Sequence, residues 1–469
     1  MENFRKGSFE RGTLYLLFAQ GIFFLSNYVI HILAANTVSA ADFGRFGVIM
    51  GILGMSYVFL SIGLPESATK YISEGRDQRT VVRLVLFFQI LLSLLISLIL
   101  YISAPSISLF LNDMGLIPYI RLLSILIPIR AIFNVYRCAF NGLGLFRLSS
   151  YLSLINSISK LSFSIFFLFI GYKVTGVLWG YIGSAIVVML IGICFSIHHG
   201  FKKGKEINLG ELFRFASPLI ILTIILNVIL DIDIILIKAL ISDSNQVGYY
   251  NSAKAISSVP VGLALAFSST VLPTISKYKS MKKHSEINTF ITKLISYVII
   301  LFLPFSVIIS SSSDLVVSIL FPSEYRESIE SLSILVFSFS ILAVFMILSS
   351  IFNGLGKTYF PLLVSFFMMF FYIILSYKMI LSLGIFGASL ASLLSNSLGV
   401  FCLLLILKAH YPFKLISQEN LFFVIPNVIF YLSIIFLDPS PFIHSVILLL
   451  FSIIYINIII KSGLFQYSI

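Results

Sequence analysis

The chain has 469 residues, of which 59% are hydrophobic and 11% charged, and its mean hydropathy is +1.06. A soluble domain carries about 25% charged residues, so this composition excludes a soluble enzyme or binding domain and indicates that most of the surface faces hydrocarbon. The net charge of +12 is typical of basic loops on the cytoplasmic side of a membrane protein. It does not indicate nucleic-acid binding, because no basic stretch is interleaved with base-stacking aromatic residues.

Apolar segments of membrane-spanning length follow one another along the whole chain. A span needs about 20 mainly apolar residues, and fourteen segments approach or exceed this length. Helix-breaking connections are predicted at 171–173, 382–384 and 438–441. The predicted fold class is therefore an all-α polytopic membrane protein with spans at 14–35, 43–64, 83–104, 118–139, 150–170, 176–198, 216–238, 250–272, 293–312, 331–352, 360–381, 386–408, 420–437 and 443–461.

The sequence contains an internal repeat of six spans. The pentapeptide Phe140–Gly144, with the sequence FNGLG, returns 212 residues later at Phe352–Gly356. Other landmarks recur in the same order, such as Leu64-Pro65 and Leu272-Pro273. Because six is an even number, both copies have the same topology and are related by a pseudo-two-fold axis along the membrane normal. We predict six-helix bundles at 1–200 and 211–415, followed by two additional helices at 420–469.

The distribution of lysine and arginine predicts the orientation. Of the 31 basic residues, 22 lie in connections on the side of the N-terminus and six lie on the opposite side. Cytoplasmic loops carry an excess of lysine and arginine. Both termini are therefore predicted to lie in the cytoplasm.

Polar residues within several spans line up on one helix face. Residues three and four apart share a face, and an ionisable side chain inside hydrocarbon costs roughly 2.5–3.5 kcal/mol. A shared water-filled cavity would satisfy all of these groups. We predict that this cavity is the substrate site and that it is lined by Asn27 and His31 from span one, Arg130, Asn134 and Arg137 from span four, and Asn156 and Lys160 from span five.

Each of these residues also has a structural interpretation. Asparagine within a span can join two helices through a hydrogen bond, His31 can be a packing residue, and the guanidinium of Arg137 can reach water at the boundary. Arg130 and Lys160 lie deepest and are the strongest candidates. Because these spans contain no acid, they predict a cationic cavity, and arginine suits a phosphate-bearing passenger through its forked donors.

Spans seven and eight supply the candidate coupling residues. Asp231 continues the helix face of Thr223 and Asn227, whereas Asp233 lies about 200° around the helix from it. Lys254 in span eight is a candidate partner for Asp231, and that pair also has a purely structural interpretation. The sequence shows no catalytic constellation, phosphate-binding glycine loop or metal-ligand spacing, so no enzymatic activity and no metal or other cofactor is predicted.

Several short stretches resemble a known family when taken together and in order. They are Asp42–Phe46, Arg214–Leu219, Asp231–Asp233, Gly248–Ala253 and the two Asn-Gly-Leu-Gly turns. Over almost the whole chain, this pattern resembles the Wzx-type polysaccharide-biosynthesis flippases. These proteins are members of the multidrug/oligosaccharidyl-lipid/polysaccharide exporter superfamily.

The resemblance implies a specific transport function. Such a protein moves undecaprenyl-pyrophosphate-linked oligosaccharide units across the bacterial inner membrane, for O-antigen or capsule synthesis, by alternating access. It implies coupling to a cation, H⁺ or Na⁺, and a polymerase and a chain-length regulator as partners. The related lipid II flippases carry arginine in the first span, where this chain has Gln20, Asn27 and His31. This difference argues against lipid II as the substrate.

Other functions stay open at this point. A drug/cation antiporter of the same superfamily normally has twelve spans and exports cations, which disagrees with the basic first half. A membrane polysaccharide polymerase or glycosyltransferase usually carries a sizeable extracytoplasmic loop, whereas the longest such loops here are 105–117 and 313–330. A scaffold without transport activity leaves the charged helix faces unexplained.

Overall fold

The computed structural model describes residues 2–61, 64–199, 201–202, 209–241, 243–411, 418–437 and 441–462. This part of the chain is almost entirely helical. Its helices are α1 (Glu2–Thr37), α2 (Ala40–Ser61), α3 (Leu64–Ser73), α4 (Gln78–Phe110), α5 (Ile117–Gly142), α6 (Phe146–Phe169), α7 (Lys173–His199), α8 (Leu209–Leu240), α9 (Ser244–Ser257), α10 (Val259–Ser280), α11 (His284–Ser311), α12 (Ser313–Leu320), α13 (Ile329–Gly354), α14 (Tyr359–His410), α15 (Gln418–Leu437) and α16 (Pro441–Ser462).

Where the structure describes them, the predicted spans lie on helices, and span eight is divided between α9 and α10. The count of fourteen spans stays a prediction. Spans eleven and twelve share α14, which is broken where predicted, at Gly384, by a backbone φ of +60° and ψ of −139°. By length and apolar composition, nine helices of the described residues are able to cross a membrane. The all-α polytopic fold class is thus confirmed. The predicted turn at 438–441 lies almost wholly outside the described residues.

Helix α4 shows how such a sequence is arranged for a lipid surface. Its polar residues Gln89 and Ser93 are fully buried, whereas its apolar residues Phe87 and Ile102 are exposed over more than half of their surface. In a soluble protein this arrangement would be reversed. Within a bilayer, polar side chains are best satisfied between helices, and apolar side chains face the lipid.

The repeated pentapeptide forms the same turn twice. Gly144, two residues after the end of α5, has a φ of +75°, and Gly356, two residues after the end of α13, has a φ of +67°. These left-handed conformations favour glycine, which has no Cβ. Gly142 also has a packing role, because a Cβ there would come within 2.8 Å of the Thr69 carbonyl oxygen, and a Cβ at Gly354 would come within 2.8 Å of Ile275. The sequence repeat is therefore a structural repeat.

The chain groups into two compact units, Met1–Asn251 and Ser252–Ile469. Helix α8 and the first turns of α9 thus belong to the first unit, in which α2 packs against α8. The predicted division into bundles at 1–200 and 211–415 stays a prediction. Residues 203–208 of the expected linker lie outside the described part of the chain.

Candidate functional site

Lys160 is enclosed by three helices of the first unit. It lies on α6 and is 1% exposed. Its ammonium donates a hydrogen bond to Asn27 Oδ1 on α1 at 2.5 Å. It also lies 4.6 Å from the ring centroid of Phe23 on α1 and 5.1 Å from that of Tyr181 on α7. Aromatic faces attract cations, so these three residues form a cage that partly replaces the hydration of the ammonium.

A second cation lies close to this cage. Arg130 on α5 is 7% exposed, and its charge acts on both Lys160 and Tyr181. No carboxylate of the described residues lies within ion-pair distance of Lys160. A buried ammonium that has no counter-ion, next to a second cation, is unfavourable by itself. The arrangement is therefore suited to attract an anion.

In this structure Lys160 contacts one asparagine and two aromatic rings of neighbouring helices. The reason is energetic, because a charge inside hydrocarbon recruits whatever polar and aromatic groups the adjacent helices offer. Periodicity predicted the helix face of Lys160 but not these neighbours, and the water-filled cavity stays a prediction. Two of the predicted site residues, Asn27 and Lys160, are nevertheless brought into direct contact across α1 and α6.

The remaining first-half candidates lie at different levels of the unit. Asn134 on α5 and Asn156 on α6 are buried. Arg137 lies near the C-terminal end of α5, is half-buried, and interacts electrostatically with Glu66 on α3. His31 packs against the rings of Phe43 and Phe46, whose centroids are 6.1 Å and 5.0 Å away.

The other two first-half candidates, His31 and Arg137, have different surroundings. His31 has the aromatic packing that its structural interpretation expects. Arg137 is not enclosed as Arg130 is. The role of each of these residues in substrate binding stays a prediction.

The candidate coupling residue Asp231 lies on α8 against α2. It is half-buried, and a Cβ at Gly54 would collide with its Oδ2 atom. Its neighbour Asp233 is buried and accepts a hydrogen bond from the Tyr250 hydroxyl at 2.9 Å. Asp233 is therefore engaged within the first unit, and Asp231 lies over Gly54. Lys254 belongs to the second unit, and its predicted pairing with Asp231 stays a prediction.

Sequence reasoning missed an ion cluster at the side opposite to the N-terminus. Asp113, which follows α4, forms ion pairs with Arg45 on α2 at 2.9 Å and with Lys238 on α8 at 3.0 Å. The Ser244 hydroxyl donates to Asp113 Oδ2 at 3.2 Å. Arg45 also pairs with Asp42 at 3.0 Å, and Lys173 lies 3.6 Å from Asp42. We call Asp42, Arg45, Asp113, Lys173, Lys238 and Ser244 the Asp113 cluster.

Asp113 is held in its ionised form. Burial raises the pKa of Asp113, but hydrogen bonds and charge from Arg45 and Lys238 outweigh this effect, so the pKa lies below its usual value. Lys238 is 1% exposed. One signal in the sequence pointed to this cluster. Three of the six basic residues on the sparsely charged side belong to it, and its two acids, Asp42 and Asp113, lie in connections on that same side.

A row of glycines lies beside the cluster. Gly44, Gly47, Gly51 and Gly54 on α2 face α8 and the first turns of α9. A Cβ at Gly47 would come within 2.5 Å of Ile234. Glycines let two helices approach closely within a membrane. We call this contact the glycine seam, and together with the Asp113 cluster it joins α2 to α8 and α9.

Residues 9–279, more than half of the chain, match the family of polysaccharide biosynthesis proteins. The chain belongs to this family. Residues 218–378 also match the MatE family. A curated relative, the probable low-salt glycan biosynthesis flippase Agl15 of Haloferax volcanii, is 24% identical over 247 residues, which are 53% of this chain and 51% of the relative. The match thus spans about half the length of that relative.

Solved structures share the fold of this family member. The lipid II flippase MurJ, in an inward closed conformation, has a TM-score of 0.78 at 17% identity and covers 96% of this chain and 99% of its own. A multidrug resistance MATE family transporter of the MOP superfamily, in an inward-facing conformation, has a TM-score of 0.67 at 15% identity and covers 85% and 98%. A MOP superfamily transporter from Pyrococcus furiosus has a TM-score of 0.62 at 17% identity and covers 85% and 96%.

These comparisons confirm the predicted superfamily and its two-repeat fold. The named relatives are flippases and transporters rather than enzymes. The family member described here is therefore a multi-pass membrane protein with the helical fold of these solved structures. The comparisons carry no assignment of individual site residues.

Proposed function

We propose that this protein is a flippase for an undecaprenyl-pyrophosphate-linked oligosaccharide repeat unit in the bacterial inner membrane, serving O-antigen or capsule synthesis. The observation that carries the proposal is the pair of buried cations, Arg130 and Lys160, in a member of the polysaccharide biosynthesis family. A pyrophosphate would supply a counter-charge for Lys160, which has no ion-pair partner among the described residues, and would add hydrogen-bond acceptors for the guanidinium of Arg130 beside it. Arginine can bind it with two donors, and lysine adds a point charge.

Charge and burial favour this substrate over a neutral or cationic one. A cationic passenger would add a third positive charge beside Arg130 and Lys160, at a cost that is large in a low-dielectric interior. An anion instead offsets the unfavourable burial of both cations. In the proposed cycle, the Asn27 oxygen and the rings of Phe23 and Tyr181 hold the ammonium until the substrate replaces them.

Alternating access needs one end of the protein to be closed while the other is open. In this proposal the Asp113 cluster and the glycine seam close the extracytoplasmic end. The ion pairs and the close helix contacts join α2 to α8 and α9 without a covalent bond. They can therefore separate together. Asp231 lies on the glycine seam, so the binding of H⁺ or Na⁺ to Asp231 would depend on whether the seam is open.

The double substitution Arg130→Ala with Lys160→Ala tests the site. It removes both cations, so we expect loss of surface polysaccharide and accumulation of lipid-linked oligosaccharide on the cytoplasmic leaflet, at normal protein levels in the membrane. The measurement is immunoblotting of surface polysaccharide together with quantification of the lipid-linked precursor.

A matched control variant substitutes the same two residue types at positions outside the site. Arg326→Ala with Lys378→Ala removes one exposed arginine and one exposed lysine, and this variant should produce normal surface polysaccharide. Normal surface polysaccharide in the Arg130 and Lys160 variant would remove the proposed site.

A second function, drug/cation antiport, is favoured by one observation. Residues 218–378 match the MatE family, and a MATE transporter shares the fold. Deletion of the gene distinguishes the two functions. Drug hypersensitivity with intact surface polysaccharide would support the antiporter, whereas loss of polysaccharide with unchanged drug sensitivity supports the flippase.

A further inference from the structure

The second unit contains an apolar pocket between α11, α13 and α14. Its volume is about 330 Å³, at the lower end of the usual range of ligand sites, roughly 300–1,000 Å³. Leu294 and Val298 line it from α11, Ile347 and Ile351 from α13, and Leu404 from α14. Every lining residue is leucine, isoleucine or valine. Although the chain has 46 phenylalanines, none lines the pocket, which therefore offers a purely aliphatic surface.

The pocket lies close to the ends of two helices. Ile351 is three residues before the end of α13, and Leu404 is six residues before the end of α14. At about 1.5 Å per residue, both lie within roughly 10 Å of those ends. The lysine distribution assigns these ends to the cytoplasm. The pocket is thus placed at the level of the cytoplasmic leaflet.

Cations lie next to the pocket at that level. Lys408 is exposed and is four residues after Leu404 on α14, so it lies on the same helix face, one turn nearer the cytoplasm. The ammonium of Lys279 donates to the Leu355 carbonyl at the end of α13, at 2.5 Å. An amphiphile with its chain in the pocket would therefore place its headgroup among positive charges.

The lining distinguishes between two kinds of anionic lipid. In a phospholipid the glycerol esters follow the phosphate, so their carbonyl oxygens would enter a pocket that offers no hydrogen-bond donor among its lining side chains. Burying such polar groups without partners is costly. In a polyprenyl phosphate, branched hydrocarbon begins directly at the phosphate. The proximity of a purely aliphatic pocket to Lys408 suits that chemistry.

We infer that, before the pyrophosphate reaches Arg130 and Lys160, this pocket binds the isoprene units next to the phosphate of a polyprenyl-linked substrate while Lys408 attracts the phosphate. This inference rests on the proposed function and names a second contact for the same substrate. A methylene and a water molecule have similar volumes, about 30 Å³, so 330 Å³ holds on the order of ten carbon atoms, or two isoprene units. The rest of the chain stays in the bilayer.

Photo-crosslinking tests the inference on the full-length protein in lipid nanodiscs. The probe is a polyprenyl phosphate with a diazirine on its second isoprene unit, and mass spectrometry locates the label. We expect label on peptides of α11 and α13. Val298→Phe with Ile347→Phe fills the pocket and should lower labelling about tenfold, a loss of roughly 1.4 kcal/mol in binding. Lys408→Gln, an exposed substitution that keeps the fold, should also lower it.

Matched controls use the same residue types on the lipid-facing surface of the second unit. Val446→Phe with Ile374→Phe changes exposed positions and should leave labelling unchanged. Unlabelled polyprenyl phosphate should compete with the probe, whereas phosphatidylglycerol at the same concentration should not. Label spread over the lipid-facing helices, or equal competition by phosphatidylglycerol, would overturn the inference.

The crosslinking result is independent of the polysaccharide assay that tests the proposed function. If the probe labels the pocket while the Arg130 and Lys160 variant makes normal polysaccharide, the pocket stands and the cation site falls. If that variant loses polysaccharide but the probe labels other helices, the cation site stands and the pocket falls.

Discussion

Lys238→Met removes the ammonium from the Asp113 cluster and keeps a side chain of similar length. The side chains of Lys238 and Asp113 are 1% and 6% exposed, and the ion pair between them has a length of 3.0 Å. Removing one partner of a buried pair costs about 3–5 kcal/mol. Because Asp113 keeps two hydrogen bonds from Arg45, we expect the lower end of this range, about 3 kcal/mol against the closed seam.

A cysteine in the glycine seam reports the effect. Ile234 is 1% exposed and lies against Gly47 and Gly51. In a variant without the three native cysteines, Ile234→Cys should react with a membrane-impermeant thiol reagent, added from outside, only when the seam opens. Since about 1.4 kcal/mol is a factor of ten, Lys238→Met should raise the reaction rate roughly 100-fold.

The controls separate the ion pair from a general loosening of the fold. Lys378→Met alters an exposed lysine and should leave the rate unchanged. Adding Asp113→Asn to Lys238→Met removes the carboxylate that has lost one of its two cations, so the combined effect should be smaller than the sum of the two single effects. An unchanged rate in Lys238→Met, or an equal rise in Lys378→Met, would refute the role of the cluster in closing this end.

Two further predictions concern the same unit. The pKa of Asp113 is lowered in the folded protein. The contribution of its carboxylate to seam closure is therefore fully present above the unfolded-state pKa of about 3.9 and is lost as the pH falls through the lowered pKa. The contribution of this carboxylate to seam closure should therefore be constant from about pH 5 to 8, measured as the ratio of cysteine reaction rates with and without Asp113→Asn. Gly144→Ala should lower the unfolding temperature, because alanine at φ +75° costs about 1–2 kcal/mol, whereas Gly21→Ala, which meets no neighbouring atom and has no positive φ, should not lower it.

Local patterns in the sequence were sufficient for the helices. Backbone groups inside a bilayer have no water to bind, so a long apolar segment there must form a helix that satisfies them internally. For this reason the predicted apolar segments coincide with helices in the described part of the chain. Even the break within α14 was predictable, because Gly384 adopts a conformation that favours glycine.

The candidate site was only partly predictable. Periodicity put Asn27 on one face of its helix and Lys160 on one face of another, but it could not predict that these faces meet at 2.5 Å. The aromatic members of the cage, Phe23 and Tyr181, carried no signal at all. Among so many apolar residues, an aromatic ring beside a cation has the same sequence pattern as one that faces lipid.

The sequence by itself determined the membrane class, the helices, the repeat and the two deep cations, because each depends on the chemistry of a residue and its near neighbours along one helix. Only the tertiary structure decided that Arg45, Asp113 and Lys238 form one buried cluster. Asp113 is 68 residues from Arg45 and lies in a separate connection from Lys238. Ion pairs between distant segments depend on how helices pack, and packing depends on long-range contacts such as the glycine seam, which no local pattern encodes.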